Sequence, residues 1–144
     1  MNNVYRIFVS MPMHGVSDSD IRAMKVKVAN ELEYLKNNKP SRYAHKEVKH
    51  LHEALNTYDE FEVICTIDWP KLEDAVTRNA YEPRLKYVAR ALNLLADCNT
   101  AVFCPGWMMA AGCNVEFTAC KLYYIPTYQF NVDHDKHDIV PLKG

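Results

Sequence analysis

The sequence predicts an α/β fold: one domain with a parallel sheet of about four to five strands and helices on both faces. Three observations carry that expectation. Short apolar runs of strand length alternate with stretches whose apolar residues recur every three or four positions. Gly, Pro and small polar residues punctuate the joins between them. No internal repeat or linker divides the 144 residues, which suffice for one domain with a real core.

Val4 to Val9 (VYRIFV) is the first expected strand, rich in β-branched and aromatic residues. The loop SMPMHG, Ser10 to Gly15, follows it. A helix then starts at Ser17, where Ser17-x-x-Asp20 has the form of a capping box with Asp in place of Glu. Ile21, Met24, Val28, Leu32 and Leu35 give this helix one apolar face, and Asn37, Asn38 and Pro40 end it. Ser41 to Tyr58 is polar, with a weak apolar face of Val48, Leu51 and Leu55, and is expected as a solvated helix or lid. Its His45, His50 and His52 are not spaced to share one helical face, so no metal site is expected.

Phe61 to Ile67 (FEVICTI) alternates as a strand does, and Asp68-Trp69-Pro70 closes it. Lys71 to Tyr81 is a connector. A helix from Pro83 to about Ala96 follows, striped by Leu85, Val88, Leu92 and Leu95. Ala101 to Cys104 has the length and character of a buried strand, and Pro105-Gly106 breaks it. After Trp107 a helix carries Val115, Ala119 and Leu122 at helical spacing. Tyr124 to Tyr128 is the last expected strand, and 131–144 is expected as a flexible, solvated tail. The order β-α-(insert)-β-α-β-α-β implies right-handed crossovers in a flavodoxin/Rossmann-like domain over 1–130.

Composition narrows the function. Seventeen basic against eighteen acidic residues leave no global field for nucleic acid or an anionic membrane. No apolar run is long enough to span a bilayer and no secretory leader is evident, so the expected location is the cytoplasm. The five cysteines form no C-x-x-C pair and are expected as reduced thiols. Neither a cofactor nor a metal is expected.

In a parallel sheet, the C-terminal ends of the strands share one rim, where ligands bind. SMPMHG, IDWP and CPGWMMAAG are the expected rim loops. Free N–H groups at the start of the Ser17 helix can bind an anion. Trp107 offers a flat surface for stacking, although a Trp after a strand is often core. Glu116 is the one carboxylate in the first turns of its helix. It is either the working group of a site or a charge favoured by the helix dipole. Apolar neighbours would raise its pKa and the helix N-terminus would lower it.

Together the two loops resemble the nucleoside 2-deoxyribosyltransferase-like superfamily, in particular a small branch common in phages and bacteria. Ser10-Met11-Pro12-Met13-His14-Gly15 matches that branch's S-G-P-M-T-G with two substitutions. Cys98, Pro105, Gly106, Trp107, Gly112 and Glu116 match its later signature without a gap, and Ser41 to Tyr58 reads as an insertion. The resemblance implies chemistry at the N-glycosidic bond of a nucleoside or nucleotide, by a transferase or a hydrolase. Glu116 would be the nucleophile. Phe8, Ser10, Met11, Pro12, Met13, His14, Gly15, Asp68, Gly106, Trp107 and Gly112 would form the substrate site. It also implies a homo-oligomer whose sites are completed by a neighbouring subunit.

The chain departs from the family's pattern at polar positions. Phe8 stands where a Tyr usually orients the carboxylate, and Ala91 where the preceding helix usually carries an Asp. Asn99, Met108 and Ala110 replace an Asp, a Glu and a Ser. His14, Asp68 and Glu82 are candidate replacements. The alternative expectation is therefore a catalytically impaired nucleotide-binding protein, a sensor or sponge for a nucleotide signal.

Overall fold

A computed structural model describes residues 3–68, 84–134 and 136–143. A five-stranded sheet runs β2-β1-β3-β4-β5. Its strands are β1 (Val4–Ser10), β2 (Glu60–Cys65), β3 (Thr100–Phe103), β4 (Thr127–Asp133) and β5 (Lys136–Pro141). The first four pair in parallel and β5 joins β4 antiparallel. Helices α1 (Asp18–Asn37) and α2 (Lys46–Thr57) lie between β1 and β2 in sequence; α3 (Arg84–Leu95) precedes β3 and α4 (Ala111–Leu122) follows it. The α/β class, the mostly parallel sheet and the helices on both faces are thus as expected.

Alternation along β1 divides the core in two. Tyr5, Ile7 and Val9 point to one face, where they meet Ile21, Val28 and Leu32 of α1 and Leu51 and Leu55 of α2. Phe8 points to the other, packed with Ala91 and Leu95 of α3, Phe103, Trp107, and Cys113 and Cys120 of α4. The α1 start also follows the sequence: Ser17 Oγ accepts from the Asp20 backbone N–H at 3.2 Å.

Three segments differ from expectation. First, 41–58 is helical as expected but is packed on the core rather than solvated. Most of it is α2, whose Leu51 and Leu55 are fully buried, each worth about 2 kcal/mol of transfer free energy. His52 Nδ1 donates to the Leu35 carbonyl at 2.6 Å and ties α2 to the end of α1.

Second, the last parallel strand is shifted. Tyr124 takes a left-handed φ of 60° and stays outside it, and β4 starts at Thr127. Third, the tail is not free. β5 pairs Ile139 with Phe130, and the charged Asp133 pairs with Lys136 at the closed end of a hairpin. The Thr127 hydroxyl donates to the Leu142 carbonyl at 2.7 Å, and Tyr128 Oη to the Glu47 carbonyl of α2 at 2.7 Å. The charges that made the tail look solvated mark its turn, while Phe130 and Ile139 supply its buried face.

The helical stripes hold for α1 and, apart from Leu85, for α3, where Val88, Leu92 and Leu95 face inward, but rotate in α4. The buried centre of α3 is Ala91 and Leu95, with Leu85 exposed. In α4 the buried residues are Cys113, Glu116 and Cys120, while Val115 and Leu122 face outward. The connector 71–81, Trp69, Pro70, Glu82 and the expected helix start at Pro83 lie outside the described residues. Among the described residues, no helix is long and apolar enough to cross a membrane.

Candidate functional site

The strand order reverses between β1 and β3, and the crevice beyond their C-terminal ends is where an open α/β sheet takes ligands. Ser10 ends β1 in register with Phe103 of β3, and the Cys104 N–H donates to the Ser10 carbonyl at 2.9 Å. Ser10 and Phe8 are two residues apart on one strand and point to the α3/α4 face. From that position Ser10 Oγ donates to Glu116 Oε1 at 2.6 Å. One strand end and one helix, 106 residues apart, thereby place a hydroxyl on a buried carboxylate.

Glu116 is 6 % exposed. Burial pushes its pKa up from 4.5 to about 7, and the Ser10 hydrogen bond opposes that rise. Near neutral pH the group therefore holds both protonation states in comparable amounts, the condition for acid–base or nucleophilic work at that pH. A helix-start charge kept in solvent would not be held in this way.

Cys113, one turn before Glu116 on the same buried face, completes the cluster. Burial pushes its thiol up to about 11, the Ser10 hydroxyl opposes this and the Glu116 charge reinforces it. Cys104 and Cys120 are raised to about 12, again chiefly by burial. These neighbours stay protonated at neutral pH and do not compete as nucleophiles. The five cysteines are free thiols. Cys113, expected only as a reduced thiol, stands i, i+3 from Glu116, the spacing that puts both on one helical face.

Pro12 and Gly106 bring the two rim loops together: a Cβ on Gly106 would lie 3.5 Å from Pro12 Cγ. Gly106 has φ 85°, a conformation that costs other residues about 1–2 kcal/mol, and so turns the chain sharply after β3. Gly112 lets α4 approach α3, where its Cβ would meet Val88 at 3.4 Å. His14 and Gly15 are exposed at the loop tip. Met13 Sδ accepts from Tyr87 Oη of α3 at 3.2 Å.

Other expected site residues lie elsewhere. Phe8 is fully buried among Ala91, Phe103 and Trp107, so its ring is core. Trp107 is no open stacking platform either. Its ring centroid lies 5.3 Å from Phe103 and 4.9 Å from Phe117, a tilted aromatic cluster over β3. Met11 is buried on the opposite face, with α1 and α2. Asp68 closes a 3-10 turn after β2. Asn99 has a structural role: its side chain accepts from the Arg6 N–H and its own N–H donates to the Arg6 carbonyl, both at 2.8 Å.

The α1 N-terminus, expected as an anion site, is occupied by its Ser17 cap with Asp18 and Asp20 in the first turn. Carboxylates there already take the favourable end of the dipole. Among the described residues, no cluster of three His, Cys, Asp or Glu is arranged to hold a metal ion. A groove of about 530 Å³ lies between α1 and the β4–β5 hairpin, lined by Glu31, Tyr34 and His137 among others. It is open and shares no lining residue with the Ser10–Glu116 pair, which remains the better candidate on chemical grounds.

The raised pKa has a measurable consequence. Below pH 4.5 Glu116 is protonated in both the folded and the unfolded chain. Between 4.5 and about 7 the folded protein retains a proton that the unfolded chain has released, so rising pH favours unfolding. Relative to Glu116→Gln, the wild-type protein should lose roughly 3 kcal/mol of stability over that interval and then level off. Urea unfolding of both proteins at several pH values checks this.

Compared with known proteins, the chain matches no family model, no curated protein and no solved structure.

Proposed function

We propose that the protein binds a nucleoside or nucleotide at the β1/β3 rim and cleaves or transfers at its N-glycosidic bond, with Glu116 as nucleophile. The supporting observation is the 2.6 Å hydrogen bond from Ser10 to a buried carboxylate of pKa about 7, at the switch point of the sheet. Ser10 takes over the orienting task for which Phe8 has no hydroxyl, from two residues further along the same strand face. It is a positioning residue.

In the first step a Glu116 oxygen attacks the anomeric carbon. The carbon–nitrogen bond breaks, its electron pair leaves with the base, and the base nitrogen takes up a proton from solvent. In the second step water, or another base, attacks the same carbon and releases the carboxylate. With water, the oxygen joins the sugar and one proton goes to solvent. This is the two-step retaining logic of carboxylate glycosidases. Attack needs the ionised form, so the rate should climb as pH rises through about 7.

The direct test is release of free base from a panel of deoxynucleosides and their monophosphates. Base release by the wild-type protein above the uncatalysed rate supports the proposal. None across the panel removes it.

The apolar surroundings favour a second reading. Phe8, Ala91 and Trp107 are buried next to the site, and Ser10 is the hydrogen-bond partner of Glu116 among the described residues. A protein that holds the ligand without cleaving it fits that environment. Calorimetry with nucleotides and cyclic or ADP-ribose-type signals separates the two: tight binding with the ligand recovered intact favours the sensor or sponge, and turnover the enzyme.

A further inference from the structure

The balanced total charge of the chain conceals a local excess where α1 passes into α2. Between residues 36 and 49 lie Lys36, Lys39, Arg42, Lys46 and Lys49, against the single acid Glu47. The remainder of the chain is correspondingly acidic. That asymmetry sets this segment apart as a surface for an anion.

Hydrogen bonds gather three of these cations around one aromatic ring. Lys49 Nζ, in the first turn of α2, donates to the Arg42 carbonyl at 2.7 Å. The Arg42 guanidinium donates to Tyr43 Oη at 2.6 Å and lies over that ring, 4.8 Å from its centroid. Lys46 stands three residues before Lys49, so the two are neighbours on the helix surface. Ser41 holds the turn: its Oγ accepts from the Tyr43 N–H at 3.1 Å and its carbonyl from the Ala44 N–H at 2.9 Å. Tyr43 is presented from that turn with 82 % of its surface exposed. The one acid is already engaged. Glu47 pairs with Lys143 at 3.2 Å, and its own backbone N–H and that ammonium hold its carboxyl below the usual range. Among the described residues, no carboxylate lies within ion-pair distance of Arg42, Lys46 or Lys49.

We propose that this surface binds single-stranded nucleic acid, with an unpaired base stacked on Tyr43 and the flanking phosphates against Arg42, Lys46 and Lys49. It is a contact separate from the Ser10–Glu116 pair. The combination of ring and cations selects the partner. Every base offers a π-face to an exposed aromatic ring, and the guanidinium beside the ring adds to the platform. In a duplex the bases are stacked on one another, and the ring has no free face to take. A membrane surface calls for large apolar side chains to bury, and the flanking Ser41, Ala44 and His45 supply none. An acidic peptide would pair with the cations but leave the ring unused.

Fluorescence anisotropy of the full chain with a labelled oligothymidylate of about twelve nucleotides tests the proposal. The wild-type protein is expected to bind it in the micromolar range at about 50 mM salt. The logarithm of the affinity should fall against that of salt with a slope of about 2, as for three phosphate contacts. Tyr43→Ala is expected to weaken binding about tenfold, and Tyr43→Trp to keep or tighten it. Arg42→Glu combined with Lys46→Glu is expected to abolish it, while Lys27→Glu, at an exposed cation on α1, leaves it unchanged. All four positions are exposed, so circular dichroism should show the wild-type fold in each variant. No binding by the wild-type protein at about 200 µM overturns the proposal. An affinity unchanged in Tyr43→Ala also overturns it, because the patch would then act by charge alone. So does equal or tighter binding to a duplex of the same length, or to vesicles containing phosphatidylserine.

Discussion

Glu116→Gln is expected to lower base release from any nucleoside the protein cleaves by at least about a thousandfold, the scale on which removing a covalent nucleophile is felt. Glutamine keeps the size of the side chain and an acceptor for the Ser10 hydroxyl, so the fold survives while the attacking oxygen is lost. Ser10→Ala is the companion variant. The Ser10 hydrogen bond favours the ionised carboxylate and lowers its pKa against burial. Its loss should cost about ten- to a hundredfold in rate. It should also shift the rising limb of the pH–rate profile to higher pH. A merely structural role for Ser10 would lower the rate without moving that limb. Steady-state assays of the three proteins from pH 5 to 9 separate these outcomes.

Ala91→Asp, which places there the acid that the resembled family carries, is expected to destabilise the protein by at least about 3 kcal/mol. Ala91 is buried in the α3/α4-side core beside Phe8, Phe103 and Trp107. A carboxylate there loses its hydration with no cationic partner among the described neighbours, and its volume overfills the space between α3 and Phe8. Denaturant unfolding should show a lower midpoint with little change in slope. Unchanged stability would mean that the position opens to solvent, and would bring it back into consideration as part of the site. The Phe8–Ala91 pair is core packing on the side of the sheet that carries Glu116.

Much of this was legible from residue pattern. α1 carries its apolar residues at steps of three and four behind a serine cap, and both features act locally. The β1 and β3 runs were readable for the same reason. Glu116 stood out as a carboxylate in an apolar helix start, and it is buried as that context implied.

The rest depends on non-local neighbours. The partner of Glu116 comes from the end of β1, and periodicity within either segment could not pair them. The α4 stripe was misplaced because Cys113 and Cys120 pack as small hydrophobes on the side of Glu116, leaving the more obviously apolar Val115 and Leu122 outside. β5 was hidden by its charged turn, and Trp107 by an aromatic cluster that forms only once Phe117 folds back over β3.

The central claim is that Glu116 forms a bond to the sugar. Peptide mass spectrometry after incubation with a nucleoside carrying fluorine at the sugar C2′ position tests it most directly. The fluorine slows breakdown of a glycosyl–enzyme ester by destabilising its oxocarbenium-like transition state. The account predicts a stoichiometric mass increase of one fluorinated sugar on the peptide containing Glu116, absent from Glu116→Gln. Free base released by the wild-type protein with no such adduct, or an adduct on another residue, would contradict it.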